Sequence, residues 1–164
     1  MRVQIAKKAD GSGVLRCVRD DGSVTWQRQT DRHAAYFALH DLTHFAVETT
    51  LGLRRGFFGL IAEGWDIEDT TGKGARGTLP PEAGLAERIV GIFSAERAGG
   101  VIWTTEEFNQ FAVTAGARAL SADEIARVKK KRSELVRQWS AVAPGATLEL
   151  EYAVGVGQPD PTSA

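Results

Sequence analysis

The chain opens on alternation. In RVQIAKK, Val3 and Ile5 alternate with polar neighbours. VLRCVR follows the turn Asp10-Gly11-Ser12-Gly13, and SVTWQRQ follows Asp20-Asp21-Gly22, with Val24 and Trp26 on one side. Successive strand side chains point to opposite faces, and Asp-Gly pairs suit tight reversals, so this pattern predicts a β-meander. The alternation returns in TLELEYAV, where Leu148, Leu150, Tyr152 and Val154 are interleaved with Thr147, Glu149 and Glu151. One apolar face and one wet face predict a half-buried strand that joins the N-terminal sheet.

Between these strands the period becomes helical. A first helix is expected over about Asp31 to Leu51, with its start left open because HAAYFAL also reads as an extended lead-in to a helix beginning near Leu39. GFFGLIAEGW is apolar almost all round and should be buried. DTTGKGARGTLPP reads as a loop. Pro81 then suits a first helical position, Leu85, Ile89, Ile92 and Phe93 share a face, and Gly99-Gly100 stops the helix. Thr104 with Glu107, and Ser121 with Glu124, have capping-box spacing. The helix after Thr104 carries Phe108, Phe111, Ala112 and Ala115 as its apolar stripe, and the next carries Ile125, Val128, Leu135 and Trp139. The pattern predicts one α+β domain over 1–154. Its four-stranded antiparallel sheet, three N-terminal strands plus the C-terminal one, packs with about five helices. Residues 155–164, with two prolines and little to bury, read as a flexible tail.

Composition narrows the classes. The 164 residues are 43% hydrophobic and 25% charged with a net charge of −1, so a globular domain is expected and no global charge favours nucleic acid or an anionic membrane. Nucleic acid is therefore not an expected partner, while a protein partner or a homodimer stays open. No window supplies the roughly 20 apolar residues of a membrane-spanning helix, and the charged N-terminal stretch does not read as a signal peptide. Cytoplasm is the expected compartment. Cys17 is the single cysteine, which leaves no intramolecular disulfide and no cysteine-cluster metal site. TTGKGARG lacks a hydroxyl residue after Lys73 and is no P-loop; Lys73 and Arg76 could close over an anion. The basic concentration at Arg127, Lys129, Lys130, Lys131, Arg132 and Arg137, within the helix expected over 125–139, reads as a solvated face or a partner-binding one.

The candidate chemistry lies in HDLTHFAVE, residues 40–48. At about 100° per residue, His40, His44, Glu48 and Asp41 share one strip, opposite Leu42, Phe45, Ala46 and Thr49. If the helix reaches back to Asp31, His33 joins the strip. His40 and His44 stand about 6 Å apart along the axis, the separation at which two imidazoles can grip one ion. Glu48 and His33 are about 12 and 10 Å from His40, so they suit an outer or partner-binding role. If LGLRRG turns the chain back, Gly56 faces Leu51 and Glu63 faces His44. Glu63 is a lone carboxylate in an apolar stretch, which a metal, a histidine or an arginine such as Arg54 would relieve. The bland alternative is an ordinary i,i+4 ion pair between His44 and Glu48 on a helix surface.

HDLTH is similar to the HExxH helix of zinc metallopeptidases, with Asp41 in place of the family's glutamate. That resemblance implies His40 and His44 as ligands of a divalent ion, zinc first, with Asp41 as the base and Glu63 as the third ligand. The longer block HDLTHFAVETTLGLRRGFFGLIAEGW resembles one in an uncharacterised family of small bacterial proteins, a His-Asp-Leu-x-His helix followed by a Gly-Phe-Phe-Gly-Leu segment. This second resemblance implies no activity. The expectation is a metal-binding protein, at best a metal-dependent hydrolase. The alternative is a non-catalytic interaction module that uses the His/Asp/Glu strip or the basic helix.

Overall fold

A computed structural model describes residues 1–28, 34–72, 74 and 76–153. Strands β1 (Arg2–Lys7), β2 (Gly13–Val18), β3 (Val24–Arg28) and β4 (Thr147–Glu151) form one antiparallel sheet in the order β3-β2-β1-β4. The two hairpins are made by the Asp-Gly turns, where Asp10 and Asp21 accept hydrogen bonds from the Ser12 and Ser23 amides. Gly11 and Gly22 take φ values of 82° and 84° there, which side chains rarely tolerate. Register places Val3 opposite Cys17 and Leu150, and Ile5 opposite Leu15 and Leu148, so the apolar positions of three strands share the covered face. On β3 the covered residue is Thr25, whose hydroxyl accepts from the Ile67 amide at 3.1 Å; Val24 and Trp26 lie on the open face, with Trp26 64% exposed.

Helices α1 (Ala34–Leu51), α2 (Phe57–Ala62), α3 (Pro81–Gly99), α4 (Thr105–Thr114) and α5 (Ala122–Ala141) supply the rest, with a 3-10 turn at Asp69–Thr71. Helix α1 is the axis of the molecule, in contact with β2, α2, α3 and α5. Its Leu42, Phe45 and Ala46 join Val3, Ile5, Cys17, Phe58, Leu135 and Trp139 in a core beneath the sheet. Val47 instead joins a second core with Ile89, Val90, Phe93, Phe108 and Val128. Full burial of each such side chain is worth roughly 1.5–3 kcal/mol, so one helix carries packing energy for both halves.

The local end signals form as the sequence spells them. Pro81 opens α3, and Gly100 closes it at φ 66°. Thr104–Glu107 and Ser121–Glu124 make both halves of their capping boxes. Helix α1 is helical from Ala34, in line with the longer of the two starts left open, within the described part. One stripe expectation needs correction. On α4 only Phe108 and Ala112 of the expected stripe are buried, while Phe111 is 50% exposed and stacks on Trp103 at 4.3 Å between centroids. The helix meets α3 along a narrow line that a four-residue stripe overstates.

Candidate metal centre

His40 and His44 lie one turn apart on α1, and their rings meet at 4.8 Å between centroids and 78° between planes. They do not point apart, and an acid stands beside them. That acid is Glu87 of α3, with Oε1 3.2 Å from His44 Nε2 and Oε2 4.0 Å from His40 Nε2. One ligand atom from each of His40, His44 and Glu87 can be chosen so that all three lie within 4.8 Å of one another. A tetrahedral ion holding such donors at about 2.0–2.2 Å would draw them to roughly 3.3 Å apart, a separation the Glu87–His44 pair already has.

The polar inventory fits a cation. His40 Nδ1 and His44 Nε2 are buried with no aligned hydrogen bond among the described residues; Glu87 is near His44 Nε2 without the alignment of one. Buried ring nitrogens are ordinarily paired, and an unpaired one calls for an explanation. Behind His44, Nδ1 meets Glu48 Oε1 at 3.1 Å. Glu48 Oε2 accepts from the amides of Phe58 and Gly59 at 3.0 and 3.2 Å and from the Tyr152 hydroxyl at 3.2 Å.

Charge in the site follows from these neighbours. Burial alone would lower the His44 pKa, but the carboxylates of Glu48 and Glu87 at its two nitrogens outweigh it and hold the ring up to about 9. Burial and the adjacent His44 charge press His40 down to about 4, against the pull of Glu87. The His44 ring beside it, with its charge, holds Glu87 below the usual carboxylate range despite partial burial. Burial pushes Asp41 up to about 7. Asp41, His40, His44 and Glu87 share a cavity of about 190 Å³ whose wall also includes Phe37, Phe57 and Gln27. A larger hollow of about 460 Å³ between α3 and α4 is lined by groups such as Ile92, Trp103 and Phe111.

The sequence-derived site is thus redistributed. His40, Asp41 and His44 come together as expected. Glu63 does not join them: it caps the end of α2, is 41% exposed, and both its oxygens lie 3.1 Å from Arg55 Nε. The arginine that relieves it is Arg55 rather than Arg54. The reason is the turn at 52–56, which brings α2 in with its first amides aimed at Glu48 instead of running it level with α1. Phe57 therefore faces His44, with ring centroids 5.3 Å apart. Glu48 lies on no solvent strip; its side chain is fully buried because α1 is enclosed on nearly every side. His33 and Lys73 fall outside the described residues.

Glu87 and Tyr152 were missed. Nothing local marks Glu87, an acid whose side chain is 55% exposed on a helix with several others. Tyr152 is an apolar position of the TLELEYAV alternation, just beyond β4, and is also a core residue. No known protein-family model matches this chain, nor does any curated protein or solved structure.

Proposed function

We propose that this protein holds a divalent transition-metal ion between α1 and α3, with His40, His44 and Glu87 as ligands, and that it uses the ion in hydrolysis of a small substrate. The observation that carries the reading is the convergence of two imidazoles and a carboxylate, with His44 Nε2 buried and facing the acid without an aligned hydrogen bond among the described residues. Two histidines and one carboxylate suit zinc with one coordination position left open, and they also suit iron(II) or manganese. The ion would polarise a water molecule or a substrate oxygen.

The chain's own part in that chemistry falls to Asp41. Burial raises the Asp41 carboxyl in the ion-free protein, and a cation bound beside it would favour the ionised form, so it could accept a proton from water and return it to a leaving group. Aspartate is shorter than the glutamate of the HExxH helix, but burial on the wall of the same cavity gives it a place to act. Phe37 and Phe57 give that wall apolar groups beside the acids. The small cavity favours a compact reacting group.

Metal analysis of protein purified without an affinity tag tests the reading. One equivalent of zinc, iron or manganese per chain is expected, lost in His44→Ala and in Glu87→Ala but retained in Glu63→Ala. Metal-free protein that gains no ion on titration with zinc, iron(II) or manganese would overturn it. Hydrolysis of simple activated esters or phosphate esters by the loaded protein, abolished in Asp41→Asn without loss of metal, tests the catalytic half separately.

A further inference from the structure

We propose that Glu48 is a positioning residue for this centre: its carboxylate holds the His44 ring with the hydrogen on Nδ1, which leaves Nε2 as the ligating atom. The inference rests on the reading of His44 as a metal ligand, but the tautomer of the neutral ring can be read with or without an ion.

The argument is a donor count. The Glu48 side chain is 0% exposed, so every partner it has is a protein group. Oε2 faces two backbone N–H groups, Phe58 and Gly59, which can only donate. The Tyr152 hydroxyl also donates to it; burial and the Glu48 charge push the phenol pKa up, so the proton stays in place. Oε1 faces His44 Nδ1 at 3.1 Å. Both ring nitrogens face carboxylates, but the Glu87 side chain is 55% exposed and water can donate to it. Buried Glu48 Oε1 faces no donor but Nδ1 among the described residues, so the neutral His44 ring carries its hydrogen there. Carboxylates behind metal-bound histidines act in this way, fixing tautomer and ring orientation.

The cradle around Glu48 explains a stretch of sequence that the metal ligands do not. A Cβ on Gly56 would lie 2.4 Å from Glu48 Cδ, and one on Gly59 would lie 1.9 Å from the Arg54 carbonyl oxygen. Both distances are below what real side chains show, so both glycines of the GFFG segment are required by close approach rather than by backbone angle. Gly56 lets the chain pass over the carboxylate, and Gly59 lets α2 start close enough for its amides to reach Oε2. The His-Asp-Leu-x-His helix and the Gly-Phe-Phe-Gly-Leu segment are then one device: the second holds the acid that orients the first.

Glu48→Gln inverts the device without changing its shape. The two amides and the tyrosine still demand an acceptor, so the glutamine oxygen takes the place of Oε2. Its NH₂ then faces His44 Nδ1, which must accept, and the ring hydrogen moves to Nε2, the atom that faces Glu87. Nitrogen NMR of imidazole-labelled, metal-free protein at high pH, where the ring is neutral, reads the tautomer directly. Wild type is expected to show a protonated Nδ1 and a bare Nε2, and Glu48→Gln the reverse. Zinc affinity should fall about 10- to 100-fold in Glu48→Gln. Tyr152→Phe, which leaves both amide donors in place, should keep the wild-type tautomer and bind zinc within about threefold of wild type. A wild-type ring with its hydrogen on Nε2 would sink the proposal whether or not Glu48→Gln folds. So would a folded Glu48→Gln with unchanged tautomer and zinc affinity. A wild-type ring protonated on Nδ1 in a protein that binds no zinc would leave the positioning role standing and remove the metal reading alone.

Discussion

Asp41 shows at single-residue scale how burial and chemistry oppose each other. Its folded-state pKa of about 7 stands above the ordinary 3.8, so the fold favours the protonated acid. As pH rises from about 4 to about 7 the unfolded chain ionises first, and native stability falls by on the order of a few kcal/mol, a loss that persists at higher pH. Asparagine has no charge to bury. Metal-free Asp41→Asn should therefore melt above wild type at pH 8, with the gap shrinking toward pH 4; a gap that does not vary with pH would contradict the assignment. At this scale the sequence was half legible. The i,i+4 spacing of His40 and His44 and the acid at Asp41 are visible because helical period fixes which side chains share a face. Glu87 was not visible, because an exposed glutamate on another helix carries no mark of what it will meet.

Helix ends show how much short-range chemistry can specify. The Ser121 hydroxyl accepts from the Glu124 amide, and the Glu124 carboxylate accepts from the Ser121 amide while Arg118 grips that carboxylate at 2.7 Å. Ser121→Ala should cost about 1 kcal/mol, readable as a lowered urea midpoint at unchanged slope. The Arg118 hydrogen bond is the main cause that holds Glu124 down to about 2. A depressed acid contributes stability above its ordinary 4.5 that disappears as pH falls toward 2. The melting difference between wild type and Glu124→Gln should accordingly be largest near neutrality and close in acid; a difference that widens below pH 4 would refute this. Helix faces were less legible than helix ends. On α1 the polar strip opposite Leu42 and Phe45 holds Glu48 and His44, each 1% exposed, so the surface ion pair of the bland alternative is a buried one, because four other elements surround the helix. A periodicity that assumes one wet side misreads a helix that has none.

For the molecule as a whole, the candidate centre is a bond between layers. Its histidines belong to α1, its carboxylate to α3, and the acid behind His44 is held by α2 and by Tyr152 just beyond β4. An ion bound only by the native state stabilises by mass action, about 2.7 kcal/mol at a free concentration 100 times Kd. For a chain of this size that is a rise in Tm of roughly 5–10 °C. Zinc should give that rise in wild type, a chelator should reverse it, and Glu87→Ala should show neither effect. Three basic side chains of α5 are engaged within the molecule. Lys129 pairs with the buried Glu96, Arg127 pairs with Asp123, and Arg132 donates to the Phe93 carbonyl. Among the described residues no helix is long and apolar enough to cross a membrane.

The strands, their hairpin turns, the two capping boxes, the proline start and glycine stop of α3, and the pairing of β4 with the N-terminal sheet were all written in the sequence. Each depends on groups a few residues apart, or on an alternation that leaves a strand one face to bury. Which acid met the histidines was decided only in three dimensions. Turning α2 by the geometry of residues 52–56 sent Glu63 to Arg55 and aimed two amides at Glu48. Packing α3 on α1 then brought Glu87 to the imidazoles. Helical period fixes the direction in which a side chain leaves its own axis, but not what another helix will place in front of it.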